Sequence, residues 1–428
     1  MNRFFLVALV LILALLLGCT PRAPVALPST QETLPTVAPQ ETQTPASSPT
    51  SPSSVPQAAT SPSLPTPLTP TQSRPLPPLD AFMKGIYFND WALFDPSRPP
   101  PGAPPDAPPP PPTLGLYAPP VADQSLKNVA VTGANWIALS VRVGQETISS
   151  TKISRSENAT ATDSELRHVI DLAHSLGMRV LLMPLLHLSN DPTHGHIYIG
   201  TTFNSETQWQ EWFTSYREFI NSYATFAQEA GVDMFFIGNE LGGTTHREAD
   251  WRQVIQEVRQ RYKGPITYDS LCGGFPFPMG EDVRIKWWDA VDYIGVGGYY
   301  PLTNKNDPTV DELKAAWTEK GYINGLENLS KKFNKPVIIS EIGYQSKDGA
   351  NKIPASFSRV ASIDLQEQAD CYQAAFEVLW GKPWLKGIFW FQWFSNPKPR
   401  EQGGLNSVNE TPYGKPAEEV LKKFYLSQ

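Results

Sequence analysis

Two glutamates stand at the ends of apolar segments of the kind that form buried strands. Glu240 directly follows residues 235–239, and Glu341 ends residues 337–341. A lone acid in such a place serves equally well as an ion-pair partner or a metal ligand. Two carboxyl groups facing one cavity are suited to cleaving a glycosidic bond, because one attacks the anomeric carbon while the other protonates the leaving oxygen.

The neighbours of the two acids indicate different roles. Asn239 precedes Glu240, and its amide is suited to bind the hydroxyl on C2 of the sugar or an adjacent one. We therefore predict that Glu240 is the general acid/base and that Glu341 is the ionised nucleophile. Tyr299 is the preferred hydrogen-bond donor to Glu341, and Arg142 is a second candidate. The alternatives are a core tyrosine for Tyr299 and a rim ion pair for Arg142.

Two tryptophans near the end of the chain are candidates for a sugar-binding platform. The chain has 12 Trp, and flat aromatic rings often stack on sugars. Trp390 is predicted to lie under the sugar next to the scissile bond. Trp393 is the alternative, because alternation along a strand places the two rings on opposite faces.

A group of histidines follows the third predicted strand. Its spacing lacks HExxH or a similar pattern, so we do not expect a metal site. His187 is predicted to bind substrate through hydrogen bonds, and the later histidines are expected to be exposed. The group comprises His187, Asp191, His194 and His196.

Apolar, strand-like segments alternate with amphipathic helical segments over most of the chain. Repeated strand–helix units predict a parallel sheet, and eight of them predict an α/β fold of the (β/α)8 TIM-barrel type, with the chemistry at the carboxyl ends of the strands. A doubly wound open sheet is the alternative, although no GxGxxG or P-loop follows the first strand. The predicted strands are residues 83–89, 135–143, 179–185, 233–239, 265–270, 293–300, 336–341 and 387–393.

Three helices have recognisable start signals. Thr162 with Glu165, Ser205 with Gln208, and Asp364 with Glu367 all have the spacing of a capping box or its Asp variant.

The first residues are typical of an exported lipoprotein. Residues 1–18 combine a short cationic start with an apolar stretch, and Cys19 closes a lipobox-like Leu-Leu-Gly-Cys ending. Residues 19–79 are predicted to be the lipidated Cys19 and a disordered Pro/Ser/Thr-rich linker, and residues 80–428 the catalytic domain. A second Pro-rich stretch, residues 96–120, is predicted to be a loop on the barrel rim. We expect an extracytoplasmic protein attached to a membrane through its lipid alone.

Composition narrows the range of partners. The chain has 428 residues, with 35 Lys and Arg against 42 Asp and Glu, so its net charge is −7. A mildly acidic surface repels nucleic acid. Cys272 and Cys371 lack ligand-like spacing, and we expect two buried thiols. We expect no cofactor, no metal and a monomer.

Together these residues resemble glycoside hydrolase family 113, a family of TIM-barrel β-mannanases, from about Met83 to Tyr425. The resembling stretches are residues 236–241, 292–296, 299–302, 340–344 and 414–417. The resemblance implies a retaining double displacement on β-1,4-mannan or glucomannan, without a cofactor. It also implies an acid/base at Glu240 and a nucleophile at Glu341.

The chain departs from the family pattern near the expected sugar subsites. His187 comes later than in the usual Lys-Pro-His run, and Gly297 and Gly298 stand where bulkier residues are expected. Hydrolysis of another β-glycan, such as galactan or glucan, therefore remains an alternative. A non-catalytic glycan-binding lipoprotein and a cell-envelope scaffold are further alternatives.

Overall fold

Eight parallel strands of the described chain close into a barrel, with helices between them. The first strand pairs in parallel with both the second and the last, which closes the ring and excludes an open doubly wound sheet. The short β3 is an antiparallel addition to β2. The strands are β1 (Met83–Asn89), β2 (Trp136–Gln145), β3 (Ile153–Ser154), β4 (Arg179–Leu188), β5 (Met234–Asn239), β6 (Ile266–Ser270), β7 (Ile294–Gly297), β8 (Val337–Ile342) and β9 (Leu385–Phe394).

The computed structural model describes residues 74–90, 116–155, 160–189, 195–272, 280–356, 361–396 and 405–427. The predicted signal peptide, Cys19 and all but the last residues of the predicted linker lie outside these ranges, as does most of the predicted rim loop. No helix in these ranges is long and apolar enough to cross a membrane.

The helices of the described chain surround the barrel, so the fold is the predicted (β/α)8 TIM barrel. They are α1 (Val121–Ala130), α2 (Asp163–Ser175), α3 (Glu206–Glu229), α4 (Glu248–Arg261), α5 (Glu281–Arg284), α6 (Val310–Glu319), α7 (Tyr322–Phe333), α8 (Leu365–Leu379) and α9 (Pro416–Leu426), with short 3-10 helices at Gly195–Tyr198 and Trp288–Ala290.

The three predicted helix starts are confirmed. Thr162 accepts from the backbone N–H of Glu165, and the Glu165 side chain reaches back to the Thr162 N–H, which is a full capping box. Ser205 and Asp364 cap α3 and α8 by accepting from the N–H three residues later. Each such cap typically stabilises a helix by about 1 kcal/mol.

Two apolar layers support the barrel. Alternate strand residues fill its interior, while the opposite faces pack against the helices. The interior layer is small and aromatic-rich, and its members are Met83, Tyr87, Trp136, Ala138, Leu181, Met183, Leu185, Met234, Phe236, Ile338, Phe389 and Phe391. Polar side chains replace these apolar ones near the carboxyl ends of the strands, where the mouth of the barrel lies.

Irregular pairing turns side chains into this mouth. On β8, the partners of Val296 and Gly297 are Ile339 and Glu341, so one extra residue is inserted before the glutamate. Ile338 faces the interior, and strict alternation from it would turn Glu341 outward. The bulge returns the Glu341 side chain to the inner face, which is a common use of bulges at barrel rims.

A similar irregularity precedes Glu240. Phe236 pairs with Thr267 and Asn239 pairs with Asp269, so β5 has one residue more than β6 between these pairs. Both acids therefore follow a local break in alternation at the same end of the barrel.

Candidate active site

Glu240 lies at the mouth in an unusual backbone conformation. Its φ is 50°, in the left-handed region that residues with a side chain rarely adopt. Two hydrogen bonds hold this turn: the Glu240 N–H donates to the carbonyl oxygen of Asp269 at 2.8 Å, and the Leu241 N–H donates to the Tyr268 hydroxyl at 2.7 Å. Such conformations persist only where the surroundings enforce them, and they are frequent in active sites.

Glu341 lies near Glu240, and both acids are next to Gly297. Glu341 is the strand partner of Gly297, and a Cβ built on Gly297 would lie 3.9 Å from Glu240 Oε1. The two carboxyl groups are close enough for the charge of Glu240 to raise the pKa of Glu341. The structure therefore brings the two predicted acids together at one mouth.

Tyr299 contacts Glu341 as predicted. Its hydroxyl donates to Glu341 Oε1 at 2.5 Å, a short distance of the kind seen for O–H donors to carboxylates. Burial and the charges of Glu341 and Glu240 raise the pKa of Tyr299 well above its usual value, so this phenol remains a donor.

The surroundings of Glu341 oppose its ionisation. Burial, followed by the charges of Asp269 and Glu240, raises its pKa well above the usual value, while the hydrogen bond from Tyr299 lowers it. Burial and the charge of Glu240 raise the pKa of Asp269 to about 8. At neutral pH a protonated Asp269 carries no charge, so it does not repel the ionised form of Glu341.

Removal of the Tyr299 hydroxyl tests this electrostatic balance. Tyr299→Phe takes away a bond that lowers the Glu341 pKa, so we expect the acidic limb of the kcat/KM profile to move to higher pH. The maximal kcat should fall roughly 10-fold or more, since a hydrogen bond to a charged group is lost. Tyr300→Phe is the matched control, because the Tyr300 ring packs on Tyr322. An acidic limb that stays in place in Tyr299→Phe would contradict the assignment.

Asn239 and Asp269 form a polar pair beside the acids. The Asn239 Nδ2 donates to Asp269 Oδ2 at 2.7 Å, and Asp269 is fully buried. Sequence reasoning missed Asp269, although the signal was present: it is an acid next to the end of the fifth predicted strand. Tyr87, on the inner face of β1, was missed because nothing in an apolar strand distinguishes a site tyrosine from a core one.

The structure corrects the expectation that the later loop histidines are exposed. His196 is only 15% exposed, and its Nε2 lies 3.3 Å from Glu240 Oε2. The Gly195–Tyr198 helix places it there, and the Gly243 N–H just after Glu240 donates to the Ile197 carbonyl. Asp191 and His194 lie outside the described residues. His187 is partly buried near the end of β4, where the alternation of inward residues places it on the inner face.

Arg142 does not pair with Glu341. Its Nη2 donates to Asp90 Oδ2 at 3.1 Å, and the two side chains are only 7% and 1% exposed. Asp90 directly follows β1, whose end lies beside that of β2, so adjacency in the ring explains this pairing. The predicted contact with Glu341 is therefore wrong, and the alternative of an ion pair at the rim is the one observed.

The structure also corrects both tryptophan assignments. Trp390 is fully buried and stacks on Tyr372 of α8, with ring centroids 3.7 Å apart. Trp393 is equally buried, and its indole N–H donates to Ser125 of α1 at 3.2 Å. Ile86 and Phe88, two residues apart on β1, pair with Trp390 and Trp393, three residues apart on β9. The extra residue of β9 is a bulge, and it places both tryptophan rings in the outer layer.

The inward aromatic residue of β9 is Phe391. It belongs to the interior layer and meets Tyr87 edge-on, with centroids 5.6 Å apart. The next residue, Gln392, accepts from Asn89 Nδ2 at 2.7 Å.

Truncation of Trp390 should therefore affect folding and not substrate binding. We expect Trp390→Ala to lower the free energy of unfolding by about 3–5 kcal/mol, because it leaves a cavity between β9 and α8. Thermal unfolding measures this loss. The KM of the folded fraction should match that of the wild type. A raised KM with unchanged stability would restore the platform role.

Two features lie outside the mouth. Cys272 and Cys371 are both buried and unbonded, as expected. Oxygen atoms of Asp307, Asp348 and Glu367 lie within 4.8 Å of one another. Glu367 already accepts from the backbone N–H groups of Gly349 and Asn351, so its charge is satisfied within the protein.

Known proteins are similar to this chain in sequence and fold. The profile of Glycoside Hydrolase Family 113 matches residues 112–415. A GH113 β-1,4-mannanase structure is 27% identical with a TM-score of 0.67, over 81% of this chain and 100% of that one. The GH113 β-mannanase AaManA from Alicyclobacillus acidocaldarius, in complex with ManMIm, is 26% identical with a TM-score of 0.66, over 81% and 98% of the two chains. No curated protein sequence matches. The extent of the family match shows that this chain belongs to glycoside hydrolase family 113 and is a hydrolase of O-glycosyl bonds.

Proposed function

We propose that this chain is a retaining endo-β-1,4-mannanase, with Glu341 as nucleophile and Glu240 as general acid/base. The observation that supports it most is the placement of both acids beside Gly297 at one barrel mouth. The similar structures, which are described as β-1,4-mannanases, support the choice of substrate.

The first step forms a glycosyl-enzyme. An oxygen of ionised Glu341 attacks the anomeric carbon, the bond to the leaving oxygen breaks, and Glu240 gives its proton to that oxygen. Tyr299 holds Glu341 Oε1, which leaves the other oxygen of Glu341 to attack.

The second step returns both acids to their starting state. Glu240 takes a proton from a water molecule, the water oxygen bonds to the anomeric carbon, and the bond to Glu341 breaks. His196 Nε2, 3.3 Å from Glu240 Oε2, holds the acid/base in place through both steps.

The other predicted binding residues take secondary places in this proposal. Asn239 faces the sugar bound beside the two acids, and His187 contributes a hydrogen bond further along the cleft.

Hydrolysis of a panel of defined oligosaccharides tests the substrate. The panel contains β-1,4-linked mannan, glucomannan, galactan and glucan oligomers of equal length. We expect cleavage of internal bonds in mannan, with glucomannan second. Cleavage of galactan or glucan alone would overturn the mannanase assignment and leave the chemistry in place.

We also propose that the enzyme is an extracytoplasmic, monomeric lipoprotein attached through Cys19. The lipobox-like sequence at residues 16–19 and the Pro/Ser/Thr-rich stretch after it support this. Expression with radiolabelled palmitate should label the wild type and not Cys19→Ala. Equal labelling of the two proteins, or none in either, would contradict the anchor.

A further inference from the structure

Asp269 connects the strands that hold the two acids. Its side chain is fully buried on β6. One carboxyl oxygen, Oδ2, accepts from Asn239 at the end of β5 at 2.7 Å. The other, Oδ1, accepts from the Ser340 hydroxyl on β8, the residue before Glu341.

The bond to Ser340 crosses β7, and Gly295 makes room for it. A Cβ built on Gly295 would lie 3.0 Å from Ser340 Oγ and 2.3 Å from the Tyr268 carbonyl oxygen. Any side chain at this position would push against the bond or the backbone. The absence of a side chain at Gly295 therefore allows the Ser340–Asp269 hydrogen bond between β8 and β6.

This contact fixes the orientation of Asn239. Asp269 Oδ2 accepts from the Nδ2 of Asn239, so the amide nitrogen faces Asp269. The amide oxygen then points the other way and is available to accept from a sugar hydroxyl. Because Ser340 occupies the second oxygen of Asp269, the carboxyl group cannot rotate away without losing a buried hydrogen bond.

We propose that Asp269 is a positioning residue of the reaction. It orients Asn239 to bind the C2 hydroxyl of the reacting sugar, the one whose anomeric carbon is attacked. The inference rests on the proposed function. Hydrogen bonds to this hydroxyl strengthen in the transition states of glycoside hydrolases, so a misdirected amide lowers kcat more than it raises KM. The charged and titratable groups around Asp269 are Glu240, Glu341 and Tyr87.

The experiment compares two aryl β-oligomannosides, one with the C2 hydroxyl on the reacting sugar and one without it. Asp269→Asn should lower kcat/KM on the hydroxyl substrate by roughly 10-fold, the worth of the neutral hydrogen bond between Asn239 and the sugar hydroxyl. On the 2-deoxy substrate it should equal the wild type, because Asn239 has no partner there. A purely structural defect would lower both equally, and that result would overturn the proposal.

Two further variants keep the test decisive. Ser340→Ala frees one oxygen of Asp269, so it should show a smaller loss confined to the hydroxyl substrate, and it replaces Asp269→Asn if that variant does not fold. Asp233→Asn is the matched control, since Asp233 joins β4 to the start of β5 by accepting from Val180, Arg179 and His174 at the opposite end of the barrel. It should lose stability and keep kcat on both substrates.

The outcome is separable from the proposed function. A wild type that cuts no β-1,4-mannan refutes the mannanase assignment alone. A wild type that cuts mannan, with Asp269→Asn and Ser340→Ala equal to it on the hydroxyl substrate, refutes the positioning role alone.

Discussion

Glu341→Ala is expected to lower kcat on β-1,4-mannan by roughly 10⁴-fold or more, because no other group replaces an aligned nucleophile. The cavity left by the side chain admits a small anion. Azide should therefore restore turnover and give an α-glycosyl azide, whose configuration is inverted relative to the β-linked substrate. Steady-state rates and NMR of the azide product measure both effects.

The loss must come from chemistry and not from unfolding. The control is Asp233→Asn, at the far end of the barrel. It should be less stable than the wild type, but it keeps both Glu240 and Glu341. Turnover by Glu341→Ala at the wild-type rate would remove Glu341 from the mechanism.

Glu240→Ala has a different signature, because an acid/base acts on both steps. We expect kcat on mannan to fall by roughly 10²- to 10⁴-fold, since the leaving sugar then departs without a proton. An aryl glycoside whose leaving group needs no proton should still form the glycosyl-enzyme, visible as a burst of the released phenol. Azide should then accelerate the second step and yield a β-glycosyl azide.

The two glutamate variants therefore differ in the configuration of the azide product. His196→Asn offers a graded comparison, because it removes the partner at 3.3 Å from Glu240 and leaves the carboxyl group in place. An α-glycosyl azide from Glu240→Ala, or equal losses on all leaving groups, would mean that the roles of Glu240 and Glu341 are reversed.

The sequence was sufficient for the barrel and for the position of both glutamates. The eight strands stand within a few residues of their predicted bounds, because buried parallel strands are continuous apolar segments with clear ends. Start signals such as Thr162 with Glu165 depend on residues three apart, so they too can be read locally. Carboxyl ends of parallel strands meet at one mouth, which is why Glu240 and Glu341 could be paired before the structure.

The errors arise from features that no local pattern records. The assignment of Trp390 and Trp393 assumed strict alternation, and a bulge in β9 breaks it. The partner of Arg142 is Asp90, because β1 closes the ring against β2 and so brings the residue just beyond its end beside Arg142.

His196 and Asp269 illustrate the two remaining limits. The conformation of a loop places His196 beside Glu240, and loops have no sequence periodicity from which their conformation could be predicted. Asp269 lies in a predicted strand, but its role depends on Ser340, two strands away in the ring, and on the space left by Gly295.

The configuration of the first product released from a β-1,4-mannan oligomer tests the shared role of Glu240 and Glu341 most directly. Proton NMR within the first minutes of hydrolysis, before mutarotation, distinguishes the two anomers. Two acids that act on one anomeric carbon through a glycosyl-enzyme predict the β anomer first. Appearance of the α anomer first would mean a single displacement by water, and it would contradict Glu341 as the nucleophile.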